Sequence, residues 1–133
     1  MYSCPICSIN PHSHSFSIYN ETTDHVWFYS SDHYLDRNTE HIITHIRGEL
    51  EAFHKQQPVR KWSWLFDSHE FEFRWETIAM IAELIKVIEL YKDTFVCIRI
   101  IRTNEFVKKT LSFCKSFLTD DMMTKIKMDD MTI

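Results

Sequence analysis

The chain has 133 residues, 44% hydrophobic and 14% aromatic, enough for one domain with a core of its own. Its single glycine, Gly48, where average usage would give about nine, excludes the usual glycine-rich phosphate loops of nucleotide sites and the G-x-S-x-G elbow of α/β-hydrolases. The formal charge of −4 argues against a dedicated duplex-binding protein.

In chain order, residues 1–15 are polar, rich in Ser and His, and read as an N-terminal appendage to a single α/β domain over 16–133. Phe16–Tyr19 and Val26–Tyr29 are short aromatic and β-branched runs flanking Asn20–Asp24, which predicts a β-hairpin. Asn38 or Thr39 caps a helix in which Ile42, Ile43, Ile46, Leu50 and Phe53 recur at helical steps, ending before Pro58. Gly48 inside it costs about 1 kcal/mol relative to Ala, so it is either a close approach to the sheet or a tolerated defect.

Lys61–Phe66 alternates, placing Trp62, Trp64 and Phe66 on one face of a strand that stops at Asp67-Ser68-His69-Glu70. Trp75–Tyr91 is apolar around most of its circumference and predicts a largely buried helix. Phe95–Ile101 reads as a central strand covered on both faces. Asn104 caps a helix from Glu105 to about Leu118, and Thr119 starts a short terminal helix or strand with Met122, Met123, Ile126 and Met128 on its apolar side. The order is β-β-α-β-α-β-α, a small mixed sheet with covering helices, and its βαβ unit requires two parallel strands joined by a right-handed crossover.

Two patterns bear on chemistry. Cys4-Pro5-Ile6-Cys7 followed by His12 and His14 offers two thiolates and two imidazoles, and C-x-x-C in a chain without a secretory signal reads as metal or redox before disulfide. Cys4, Cys7, His12 and His14 are the candidate ligands, with zinc as the cofactor their chemistry suits. His41 and His45 lie four apart on the first helix without a nearby carboxylate motif and are expected on its solvated face. The Asp67–Glu70 loop holds nucleophile, base and acid types, but neighbours in sequence rarely point at one another, so no catalytic set is expected and no enzyme activity. The aromatics between Trp62 and Trp75 are interleaved with acids rather than bases, which favours core or apolar-ligand contact over nucleic acid.

Charge is unevenly spread. Residues 97–128 hold seven Lys/Arg against three acids, +4, leaving −8 for the remainder. That basic third either forms a solvated helix face or attracts an anionic headgroup or membrane surface. No apolar run is long enough to span a bilayer and no signal core opens the chain, so a cytoplasmic location is expected.

The stretch Trp62–Ile126 resembles part of a CRAL-TRIO lipid-binding domain. The likeness rests on Trp64-Leu65-Phe66-Asp67, on the long apolar helix closing on Tyr91 before Phe95–Ile101, on Asn104 with Phe106, and on Phe117-Leu118-Thr119 with Lys125-Ile126 seven residues on. In that family the last pattern belongs to the segment gating the lipid cavity. The chain departs from it where Ser68–Phe71 contains no glycine and Glu105 stands where a proline is usual. STAS-like domains share a related layout, with protein interaction as their usual role.

The resemblance implies non-catalytic binding of a lipid or other apolar ligand. The pocket residues would be Trp64, Phe66, Ile98 and Ile100 from the sheet and Phe106, Phe113 and Phe117 from the helix after it. Lys108, Lys109 and Lys115 would lie near a headgroup or membrane. The alternative is a STAS-like interaction module whose partner is a protein or a second copy of the chain.

Overall fold

In the computed structural model, which describes residues 2–129, the elements run α1 (Pro5–Ile9), β1 (Ser17–Glu21), β2 (His25–Ser31), α2 (Thr39–Gln56), β3 (Lys61–Asp67), α3 (Trp75–Leu90), β4 (Phe95–Ile101), α4 (Glu105–Cys114), α5 (Asp120–Lys125) and β5 (Ile126–Asp129). The expected caps form. Asn38 accepts from His41 N at 3.2 Å, Asn104 from Val107 N at 3.1 Å and Thr119 from Met122 N at 3.1 Å, each satisfying an amide that has no partner within its helix.

The five strands lie in the order β1-β2-β3-β4-β5, with β1 antiparallel to β2 and the other neighbours parallel. This is the mixed α/β sheet expected. Because the strand order never reverses, right-handed crossovers carry every covering helix to the same side. The core agrees: Val26, Phe28, Trp62 and Trp64 pack with α2, α3 and α5 side chains, while Phe66, Ile98 and Ile100 pack with α4.

One-sided coverage corrects two expectations. Helix α3 is not largely buried, since only Thr77, Leu84, Val87 and Ile88 are buried in it and Trp75 and Leu90 are exposed. Nor is β4 covered on both faces: Val96 is exposed and Cys97 and Arg99 are half-buried. A continuous apolar run cannot by itself distinguish these cases. Two boundaries also move. Helix α4 ends at Cys114, where Phe117 N bonds Cys114 O at 3.1 Å, and the terminal segment is a short helix followed by a parallel edge strand.

Residues 2–15 do not hang free as an appendage. Cys4, Ser13 and His14 are buried, and Ser13 O accepts from Leu35 N and Asp36 N at 3.1 and 3.2 Å. Gly48 finds its reason here: a Cβ at this position would overlap the Tyr2 ring, so the close approach is to the N-terminal segment and not to the sheet.

At the carboxyl ends of the parallel strands, Arg102 takes a left-handed φ of 52° and turns its guanidinium onto buried Asp67, with Nε donating to Oδ1 at 3.0 Å and Nη2 to Oδ2. Burial pushes the Asp67 carboxyl up, but the bonds from Arg102, His69 N–H and the Tyr29 hydroxyl outweigh it and leave the pKa below its ordinary value. A depressed pKa makes this contribution full above the unfolded aspartate value of about 3.9 and lost as pH falls through the folded one. Arg102→Met should therefore lower Tm by a few degrees at neutral pH. Thermal melts across an acid series should show the gap to wild type closing below about pH 3.9.

Candidate functional site

Four potential ligands meet where the N-terminal segment crosses α2. Pro5 occupies the first turn of α1, where its missing N–H costs nothing, and Cys4 and Cys7 bracket that turn. The chain then reverses through His12 at a left-handed φ of 64° and brings His14 back onto the thiols. His14 Nδ1 lies 3.5 Å from Cys4 Sγ and 3.7 Å from Cys7 Sγ, and His45 Nδ1 of α2 lies 3.9 Å from Cys7 Sγ. The four ligand atoms are all within 4.8 Å of one another, and the group could hold a metal ion.

Both imidazoles are braced from behind. His14 Nε2 donates to Asp36 Oδ2 at 2.8 Å and His45 Nε2 to Phe16 O at 3.0 Å, leaving each Nδ1 lone pair directed at the thiols. The Asp36 carboxylate is shared with His41 Nδ1 at 2.9 Å. Burial raises the Asp36 carboxyl, but the bonds from His14, Asn38 N–H and His41 prevail and hold it at about 2. Burial also lowers the pKa of His45, keeping it neutral as ligation requires, and raises that of the Cys7 thiol.

Of the candidate ligands, the structure brings together Cys4, Cys7 and His14 but not His12, which is exposed on the reversing turn. The fourth position belongs to His45. Expected on the solvated helix face, it is 6% exposed because the N-terminal segment covers it. Its distance in sequence hid it, and the i,i+4 pairing with His41 was the available signal: one histidine joins the cluster and the other braces it through Asp36.

A second feature is an apolar cavity of about 120 Å³ between the sheet and α3, α4 and α5. Trp64, Phe66, Ile98 and Ile100 line it, together with Val107 and Met122. Cys114 also lines it, and burial pushes its thiol up to about 11, so it stays neutral. The helix side corrects the expectation. Phe106 and Phe113 point to solvent, Phe117 is half-buried outside the lining, and Lys108, Lys109 and Lys115 are exposed. The α4 residues that face the sheet are instead Val107, Leu111 and Cys114, on a face about 100° round the helix from Phe106 and Phe113.

The Asp67–Glu70 loop assembles no nucleophile and base. Ser68 Oγ is spent on Ile101 O at 2.8 Å and Arg102 O at 3.1 Å, and His69 is exposed. Among the described residues no helix is long and apolar enough to cross a membrane. No protein-family model matches the chain, and no curated protein matches it.

Proposed function

We propose that this chain is a non-catalytic binding domain that takes a small apolar ligand between sheet and helices, and whose N-terminal segment is fastened by one structural zinc ion. The observation that carries the metal half is the convergence of two thiols and two back-braced imidazoles. In a tetrahedron with Zn–S of about 2.3 Å and Zn–N of about 2.0 Å, sulfur and nitrogen ligands stand about 3.5 Å apart, and the spacings of 3.5, 3.7 and 3.9 Å fit that size. Two sulfurs with two nitrogens in this geometry suit zinc, and four protein ligands leave no open position for chemistry.

The ligand half rests on the cavity and is supported by the CRAL-TRIO resemblance of the elements around it. An apolar space of about 120 Å³ is on the scale that receives a six-membered ring, and smaller than the few hundred Å³ typical of sites for larger molecules. Filling it by Cys114→Phe should abolish uptake of benzene in a titration followed by methyl NMR, while the wild type binds. Equal binding by both proteins would dismiss this cavity. Native mass spectrometry of the full chain should show one zinc per polypeptide.

An interaction role is favoured by a different observation. Phe73, Trp75 and Phe113 form an outward aromatic cluster with ring centroids 5.0–5.5 Å apart, and Lys109 Nζ sits 4.6 Å over the Phe73 ring. Trp75 and Phe113 are exposed there, as residues of a protein-binding surface would be.

A further inference from the structure

Asp32, one residue beyond β2, is 7% exposed and lines both the apolar cavity and the polar cleft at the carboxyl ends of the strands, where Tyr29, Asp67 and Arg102 meet. In parallel sheets this end of the strands is where ligands enter. Its Oδ2 is shielded from solvent and has no hydrogen-bond partner. Among the described residues the only other such side-chain atom is Arg60 Nε, which is not part of the cavity lining.

A buried carboxyl oxygen left unpaired costs free energy that nothing else in the cavity wall relieves. Thr110, the polar lining residue from α4, donates its hydroxyl to Phe106 O at 2.7 Å. The guanidinium groups of Arg37 and Arg74 draw the Asp32 carboxyl down and the carboxylates of Glu70 and Glu72 push it up, but burial is the largest influence and leaves its pKa raised. Apart from Asp32, Tyr34, Thr77 and Thr110 the lining is made of apolar side chains and the Cys114 thiol, and Asp32 is the one carboxyl among them.

We infer that the ligand of this cavity is an apolar molecule carrying a hydroxyl group, with the ring or short chain against Phe66, Ile98 and Val107 and the hydroxyl bonded to Asp32 Oδ2. A hydroxyl serves whichever form the carboxyl takes, because it donates to a carboxylate and both donates to and accepts from a carboxylic acid. The inference rests on the cavity reading above and narrows it to a chemical class.

The test compares phenol and benzene as probes of the full, metal-loaded chain, titrated separately and followed by methyl NMR shifts. In an apolar cavity without a partner, phenol loses its bonds to water and binds more weakly than benzene. With Asp32 as partner the order reverses, and phenol should bind about tenfold more tightly, the worth of one good hydrogen bond. Asp32→Leu should abolish that preference and Asp32→Asn should keep most of it. Benzene binding as well as or better than phenol in the wild type would overturn the role of Asp32 while leaving the cavity reading intact. Binding of neither probe would overturn both. The wild-type ratio decides the matter even if Asp32→Leu fails to fold.

Discussion

Cys4→Ser is expected to empty the metal centre and lower stability by about 3 kcal/mol or more, with a fall in Tm of about 10 °C. Cys4 is buried and lies at the first turn of α1, so its loss removes one of the four clustered donor atoms and also the anchor of the segment that covers His14 and His45. Binding of a structural zinc is worth about 10–16 kcal/mol in small zinc-finger peptides, much of which pays for ordering the chain around the ion. A zinc ion that fastened residues 2–15 onto α2 would use the same coupling. Metal analysis by plasma emission should find one zinc per wild-type chain and essentially none in Cys4→Ser, His14→Ala or His45→Ala. His12→Ala should keep its zinc and its Tm. Loss of metal in His12→Ala, or its retention in His45→Ala, would refute the ligand set assigned here. Equal metal content in wild type and Cys4→Ser would end the zinc reading altogether.

Trp62→Ala should cost about 3–5 kcal/mol in urea denaturation, a large part of the stability of a domain this size. Trp62 is completely buried on the helix-facing side of β3, the middle strand of the sheet, near its amino end. Its ring lies 4.7 Å from Phe95, 5.8 Å from His54 and 6.0 Å from Phe28, and its indole N–H donates to Tyr91 O at 3.4 Å. It therefore ties three strands to α2 and to the end of α3, and truncation leaves a void that none of these elements can close alone. Trp75 provides the contrast. At 63% exposure, with Phe73 and Phe113 as its aromatic neighbours, Trp75→Ala should cost about 1 kcal/mol or less. If the two substitutions cost the same, the assignment of Trp62 to the core is mistaken.

Local chemistry alone placed most of the elements. The alternation in Lys61–Phe66 put Trp62, Trp64 and Phe66 on one face, and the core confirms that they share it. Asn38, Asn104 and Thr119 announce three helix starts because their short side chains accept from backbone amides three residues on. The sheet-side pocket residues were legible for the same reason. Those assigned to α4 were not, because Phe106 and Phe113 are as apolar as the residues that face inward, and only the packing of α4 against Ile98 and Ile100 decides which side turns to the core.

The lone glycine and the histidines mark the boundary most sharply. By itself the sequence determined that Gly48 lies inside a helix, that two cysteines are spaced as a pair, and that several histidines were available to them. Only the tertiary structure decided that Tyr2 lies over Gly48, that His45 rather than His12 meets Cys4, Cys7 and His14, and that Asp32 is enclosed without a partner. The physical reason is range. Propensity, capping and periodicity act over a few residues, whereas a metal site and a cavity are made by contacts between segments tens of residues apart, whose meeting depends on which face of the sheet the helices cover.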